Sequence, residues 1–211
     1  SAPLADAPTI QAAYQRALEN GVTLRKILIL VKELRDTIET PLLLMAYYNL
    51  IYQFGEELFS AEASKCGVDG LIVPDLPPEE AGNLLRYANQ VDLDLIFLAA
   101  PTSDRDRLSL ITSVSKGFIY YVSVTGITGA RQSLPDDLKI ALSRLKERTQ
   151  LPIAVGFGIS TPSQVREASS LADAVIVGSA LISLIAQNEG SPHLFNAVRQ
   201  FISQLKAGTR A

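Results

Sequence analysis

The sequence has one cysteine, Cys66, so no internal disulfide can form and stability has to come from packing. A lone thiol beside Gly67 at a helix end reads as a small buried hydrophobe and fits a reducing compartment. Long apolar runs are missing too: Ile27–Val31 and Leu42–Ala46 are far too short to span a bilayer, so no membrane helix is expected. The opening Ser1-Ala2-Pro3-Leu4-Ala5-Asp6 carries neither the basic nor the apolar stretch of a secretory signal. The expected location is cytoplasmic, or the plastid stroma if the source is a plant. Basic residues do not cluster, and 19 Lys and Arg against 22 Asp and Glu leave a net charge of −3, which argues against a nucleic-acid partner. The single histidine, His193, follows Ser191-Pro192 at a helix start and reads as a surface or capping residue rather than a catalytic one.

What the chain does have is 47% hydrophobic residues against 19% charged, the balance of a globular core protein rather than a disordered one. Two periodicities alternate along it. Spacings of three and four predict helices over Thr9–Asn20, Thr23–Glu39, Phe54–Lys65, Asp104–Val114, Asp136–Thr149, Ser163–Ser170, Ser179–Gln187 and His193–Lys206. Another is predicted to open at Pro77-Pro78-Glu79-Glu80, with proline and acids in its first turn. Between them, short β-rich runs predict strands at Pro41–Tyr48, Val68–Val73, Asp94–Ala99, Phe118–Val124, Pro152–Val155 and Ala174–Val177. These strands are apolar almost throughout, as expected when helices cover a parallel sheet. Nothing reads as a linker, so residues 1–211 are expected to form a single domain. Two architectures compete, an open doubly wound sheet and a closed barrel.

Glycines decide between them. They fall in the last three turns from strand to helix: Thr125-Gly126-Ile127-Thr128-Gly129-Ala130, then Gly156-Phe157-Gly158-Ile159-Ser160, then Val177-Gly178-Ser179-Ala180. A phosphate needs several backbone N–H donors, and glycine lets the chain approach with no β-carbon in the way. A helix starting at Ser179 adds N-terminal donors. Loops after the last strands together with a short extra helix form the usual phosphate site of a (β/α)8, or TIM, barrel. A doubly wound dinucleotide fold would want its glycines after the first strand, where Ala46-Tyr47-Tyr48-Asn49 stands instead. Each glycine taken singly is equally well an ordinary tight turn; the ordered set favours the barrel.

The same segments carry a family resemblance. Pro3-Leu4-Ala5-Asp6-Ala7-Pro8-Thr9-Ile10-Gln11 resembles the catalytic-loop motif of the tryptophan synthase alpha subunit family. Met45-Ala46-Tyr47-Tyr48-Asn49, Val73-Pro74-Asp75-Leu76-Pro77, Ala100-Pro101-Thr102 and the three glycine segments resemble further motifs of that family, in order and from end to end. The resemblance implies a lyase of tryptophan biosynthesis, which cleaves indole-3-glycerol phosphate to indole and glyceraldehyde 3-phosphate with no cofactor and no metal. It places the catalytic aspartate at Asp6, the indole pocket at Tyr47, and an active-site tyrosine at Tyr120. Thr128 becomes the loop threonine that closes over substrate. Gly129, Gly156, Gly158, Gly178 and Ser179 become the phosphate cradle, with Phe157 flanking it. The implied partner is the pyridoxal-phosphate beta subunit, in a heterotetramer, met through Asn49, Pro74, Asp75 and Pro77. Taken alone, Asp6 reads rather as a helix N-terminal acid, and Tyr47 and Tyr120 rather as core aromatics with a satisfied hydroxyl.

Against the family pattern, Ala2 stands where an aspartate contacting the beta subunit is usual, and Ala7 where glycine follows the catalytic aspartate. A complete barrel has eight strands in roughly 250 residues. Six βα units are visible here, so the barrel is expected to lack its first strand, first helix and second strand. That second strand carries the family's catalytic glutamate, and no residue here matches it by motif. The expectation is that these residues alone are nearly inactive, with two other readings kept: a non-catalytic barrel fragment that binds phosphate or the beta subunit, and a stand-alone indole-releasing lyase.

Overall fold

Alternating apolar runs and amphipathic stretches become parallel strands followed by helices in the computed structural model, which describes residues 8–122, 137–156 and 158–209. The helices α1 (Pro8–Glu19) and α2 (Leu24–Arg35) precede the strand β1 (Leu43–Met45). Helices α3 (Tyr48–Phe54) and α4 (Glu56–Lys65) lead to β2 (Gly70–Ile72), and α5 (Gly82–Gln90) leads to β3 (Asp94–Ile96) and β4 (Leu98–Ala99). Then come α6 (Arg105–Val114), β5 (Ile119–Val122), α7 (Asp137–Lys146), β6 (Ile153–Gly156) and α8 (Pro162–Ser169). The chain continues through β7 (Ala174–Ile176) and α9 (Ser179–Gln187) to α10 (Leu194–Gly208).

Two compact units divide these elements. One comprises residues 21–99 and 103–120. Its sheet runs β1-β2-β3, all parallel, with Leu43 opposite Gly70 and Gly70 opposite Asp94. Leu71, Ile96, Phe59, Ile51, Leu84 and Ile111 are fully buried and form its core. Gly70 sits at the middle of this packing: a β-carbon there would come within 2.6 Å of Leu43 Cδ2 and 2.9 Å of Ile96 Cδ1. The small residue is what lets the two neighbouring strands press their side chains together. At the start of β2, Asp69 accepts the Leu42 N–H at 2.6 Å and pairs with the Arg35 guanidinium.

The other unit takes in the described parts of 1–20, 100–102 and 121–211. Here β6 and β7 pair in parallel, and α10 packs closely on α8. Gly208 permits that approach, since a β-carbon would lie 2.6 Å from the Pro162 carbonyl oxygen. Asp173 repeats the part played by Asp69: it accepts the Ile153 N–H at 2.9 Å, with Lys146 Nζ 3.6 Å away. Leu138, Leu142 and Leu145 give α7 a buried stripe, and its charged residues lie on the opposite, solvated face.

Several boundaries differ from the sequence expectations. The second helix ends at Arg35 rather than Glu39, because the Arg35 side chain donates to the Ile38 and Thr40 carbonyls and folds the chain around its guanidinium. The expected strand Pro41–Tyr48 shortens to Leu43–Met45, and its end starts a helix, α3, that periodicity did not reveal. Gly55, at φ +92°, separates α3 from α4, a backbone state open chiefly to glycine. Pro77–Glu80 form a turn, closed by Glu80 N–H donating to the Pro77 carbonyl, and α5 starts only at Gly82. The strand expected at Asp94–Ala99 is interrupted at Phe97. His193 is exposed at the start of α10, and its side chain makes no cap; Cys66 is half-buried rather than enclosed.

Two substitutions should act in opposite directions. Gly70→Ala is expected to lose about 1–3 kcal/mol by overpacking. Tyr121 is buried with no hydrogen-bond partner for its hydroxyl among the described residues, so Tyr121→Phe should be neutral or stabilising by up to about 1 kcal/mol. Urea unfolding of the two variants beside the parent measures both; a stabilised Gly70→Ala or a strongly destabilised Tyr121→Phe contradicts the packing described.

Candidate active site

The glycine segments of the second unit are aligned by strand register. Gly156, buried at the end of β6, pairs with Ile176 at the end of β7. Gly158 and Gly178 each follow by two further residues, so the two turns leave the same end of the pair in step. Gly158 has φ +73°, and a β-carbon placed on either glycine would meet nothing within 4 Å among the described residues. Among those residues the space beside both backbones is open, as a ligand that approaches main-chain N–H groups requires.

Helix α9 begins there. Its first internal bonds run from the Leu181 and Ile182 N–H groups to the Gly178 carbonyl, at 2.9 and 3.1 Å. The N–H groups of Ser179 and Ala180 precede them and have no carbonyl available inside the helix. With the positive end of the helix dipole, they make a place suited to an anion. Gly178 and Ser179 are both exposed.

The chain after Gly158 is pinned by a residue that sequence reading passed over. Gln164 Oε1 accepts the backbone N–H groups of Ser160 and Thr161 at 2.9 and 3.1 Å, and the Thr161 hydroxyl accepts the Gln164 N–H in return. Thr161-Pro162-Ser163-Gln164 is a capping box, and its spacing was legible in the sequence. It fixes where α8 starts and therefore where the turn from β6 ends.

In the first unit, the loops after β1 and β2 lie together. Tyr47 is half-buried and ends the extended chain, and Asn49 is exposed in the first turn of α3. Pro74 and Pro77 are half-buried and Asp75 exposed, with Leu76 buried between them as the anchor. The Asp75 carboxylate accepts the Tyr48 N–H at 2.8 Å, and the Tyr48 phenol donates to Glu56 at 3.1 Å. Tyr120, on β5, donates its backbone N–H to the Phe97 carbonyl, and burial pushes its phenol above the ordinary 10.0. Asp6, Thr128, Gly129 and Phe157 lie outside the described residues. Among the described residues, no group of three or more His, Cys, Asp or Glu could hold a metal ion, and no helix is long and apolar enough to cross a membrane.

The profile of the family described as "Tryptophan synthase alpha chain" matches residues 1–210. The tryptophan synthase alpha chain of Geobacter sp. (strain M21) is 47% identical over 208 residues, covering 99% of this chain and 78% of that protein. That of Geotalea uraniireducens (strain Rf4) is 47% identical over 211 residues, covering 100% and 79%. Among solved structures, tryptophan synthase subunit alpha from Legionella pneumophila str. Paris matches with a TM-score of 0.90 at 36% identity, over 99% of this chain and 78% of that one. A chain from a structure of the tryptophan synthase α2β2 complex of Pyrococcus furiosus matches with a TM-score of 0.90 at 38% identity, over 98% and 83%. The fold class is accordingly the (β/α)8 barrel and not the doubly wound sheet, with six βα units among the described residues.

The raised phenol of Tyr120 sets a pH dependence. Its folded pKa exceeds the unfolded value, so stability is complete below pH 10 and is lost as pH rises past it. The 295 nm titration of the parent minus that of Tyr120→Phe should show a midpoint above 10.0; a midpoint at or below it would show the ring is solvated.

Proposed function

The chain belongs to the tryptophan synthase alpha chain family, a family of lyases of tryptophan biosynthesis, and from that premise we propose that its substrate is indole-3-glycerol phosphate. The reaction is a reversible retro-aldol cleavage. The bond between indole C3 and the first glycerol carbon breaks, C3 gains a proton, and the hydroxyl on that carbon loses one to become the aldehyde of glyceraldehyde 3-phosphate. The cleavage is redox-neutral, and the C3-protonated indole ring itself accepts the electron pair of the breaking carbon–carbon bond.

Roles follow from charge. As C3 is protonated, the ring becomes positive and its N–H more acidic. An ionised Asp6 accepting that N–H would stabilise the charge, most strongly in a site closed to water. Tyr47 lines the indole pocket, Tyr120 lines the active site, and Thr128 belongs to the loop that covers the substrate. The phosphate is held by Gly129, Gly156, Gly158, Gly178 and Ser179, with Phe157 alongside. One observation carries this reading: two in-step glycine turns with open space beside both, ending at the N-terminus of α9.

The proton at C3 needs a general acid, and in the family this is a glutamate that matches no residue of the 211. General acid–base catalysis typically supplies ~10²–10⁴-fold, so these residues alone should bind substrate but release little indole. The partner is the beta subunit, met through Asn49, Pro74, Asp75 and Pro77. The α2β2 assembly of Pyrococcus furiosus, to which this chain is similar, supports that pairing.

Calorimetric titration with indole-3-glycerol phosphate, beside an indole-release assay with and without beta subunit, tests the proposal. Binding tighter than about 1 mM is expected, in the usual range for enzyme substrates. Gly178→Ala should weaken it at least tenfold while leaving Tm within about 2 °C, because the added methyl meets no atom of the described residues within 4 Å and intrudes on the ligand's space. Absence of binding by the parent would overturn the lyase reading; full turnover without further residues would overturn the assignment of the proton transfer to an absent glutamate.

A further inference from the structure

Helix α3 begins without a cap of its own. Its N-cap residue is Tyr47, extended at φ −74° and ψ 145°, and no side-chain oxygen of that residue takes a helix N–H. Tyrosine has no short acceptor to offer at such a position. The N–H of Tyr48, first in the helix, is one of the donors that a helix cannot satisfy from within. It is satisfied from another loop, by Asp75 Oδ1 at 2.8 Å.

Register explains why that carboxylate is within reach. Met45 ends β1 opposite Ile72, which ends β2. Tyr48 and Asp75 each lie three residues further, so parallel strands of equal length bring them side by side. The Asp75 loop is itself stiff. Val73 to Leu76 form a turn closed by the Leu76 N–H donating to the Val73 carbonyl at 3.2 Å, with proline at its second position and buried Leu76 as its foot. Burial, the hydrogen bond to Glu56 with its charge, and the nearby Tyr52 and Glu80 together raise the Tyr48 phenol pKa.

We infer that Asp75 is a positioning residue for the indole side of the site: by capping α3 at Tyr48 it fixes the point where the chain turns from extended to helical, and so holds Tyr47. This rests on the reading of Tyr47 as an indole-pocket residue. It also gives Asp75 a role within its own chain, beside the contact proposed for it with a partner. Loss of the carboxylate loosens the first turn of α3 and with it the backbone at Tyr47, while the glycine turns of the other unit keep their geometry. Asparagine keeps an acceptor at the same atom, so Asp75→Asn retains the bond without the charge.

The test uses three proteins, the parent, Asp75→Ala and Asp75→Asn, and two probes, indole alone and inorganic phosphate. Amide exchange at Tyr48, followed by NMR, should quicken at least tenfold in Asp75→Ala and at most threefold in Asp75→Asn. Indole binding should weaken at least fivefold in Asp75→Ala, with phosphate binding within twofold of the parent and the asparagine variant close to the parent in both. Unchanged exchange in Asp75→Ala overturns the cap. Equal losses for indole and phosphate, or an asparagine variant as impaired as alanine, overturn the positioning role in favour of general destabilisation or of charge. If Asp75→Ala quickens exchange but neither it nor Tyr47→Ala weakens indole, the indole-pocket reading of Tyr47 has failed and takes the positioning role with it.

Discussion

When neighbouring strands run in the same direction with no offset, whatever follows one by a given number of residues stands beside whatever follows the next by the same number. That constraint organises this chain. Met45 opposite Ile72 brings Tyr48 to Asp75, and Gly156 opposite Ile176 brings the Gly158 turn into step with the Gly178 turn. No side chain in either pair had to be long. Short residues on short turns suffice because the sheet has already done the placing, and the hydrogen bonds and open spaces described above are consequences of it.

The two loop clusters solve opposite problems. Around Gly158 and Gly178, atoms are left out: no β-carbon occupies the approach to the backbone, and the N–H groups at the start of α9 stay available. Around Tyr47 and Asn49, atoms are supplied: a carboxylate closes off an N–H that would otherwise be loose. An anion is recognised through backbone donors, whereas an aromatic ring is recognised through the orientation of other rings. The first needs bare main chain, and the second needs main chain held still.

Much of this was legible in the residues. The helix Ser179–Gln187 agrees with its sequence expectation at both ends, because glycine before it and Asn188 after it are unambiguous punctuation. Thr161 and Gln164 announce a capping box by spacing alone. Helix α3 was not legible, because its seven residues, Tyr48–Phe54, continue an apolar run and its cap lies 27 residues away in sequence. Local periodicity cannot register a partner that only tertiary structure supplies. The early end of α2 has the same origin: Arg35 turns back onto carbonyls three and five residues ahead and onto Gly67. Asp75 was read as part of a partner-facing segment because its motif suggested one, and its hydrogen bond is visible only in three dimensions.

Asp69 and Asp173 stand one residue ahead of β2 and β7, each tying the beginning of its strand to the beginning of the strand before. Among the described residues offered for recognition, Tyr47, Asn49, Pro74, Asp75, Pro77, Gly158, Gly178 and Ser179 lie past the opposite ends of strands. Mutational tolerance therefore has an address in this molecule. Variation confined to residues 47, 49, 74, 77, 158, 160, 178 and 179 samples recognition while leaving those aspartate braces, the Asp75 cap and the buried Ala46, Leu76 and Ile159 intact. A selection library restricted to these positions would retain folded members at a far higher frequency than one spread evenly along the chain.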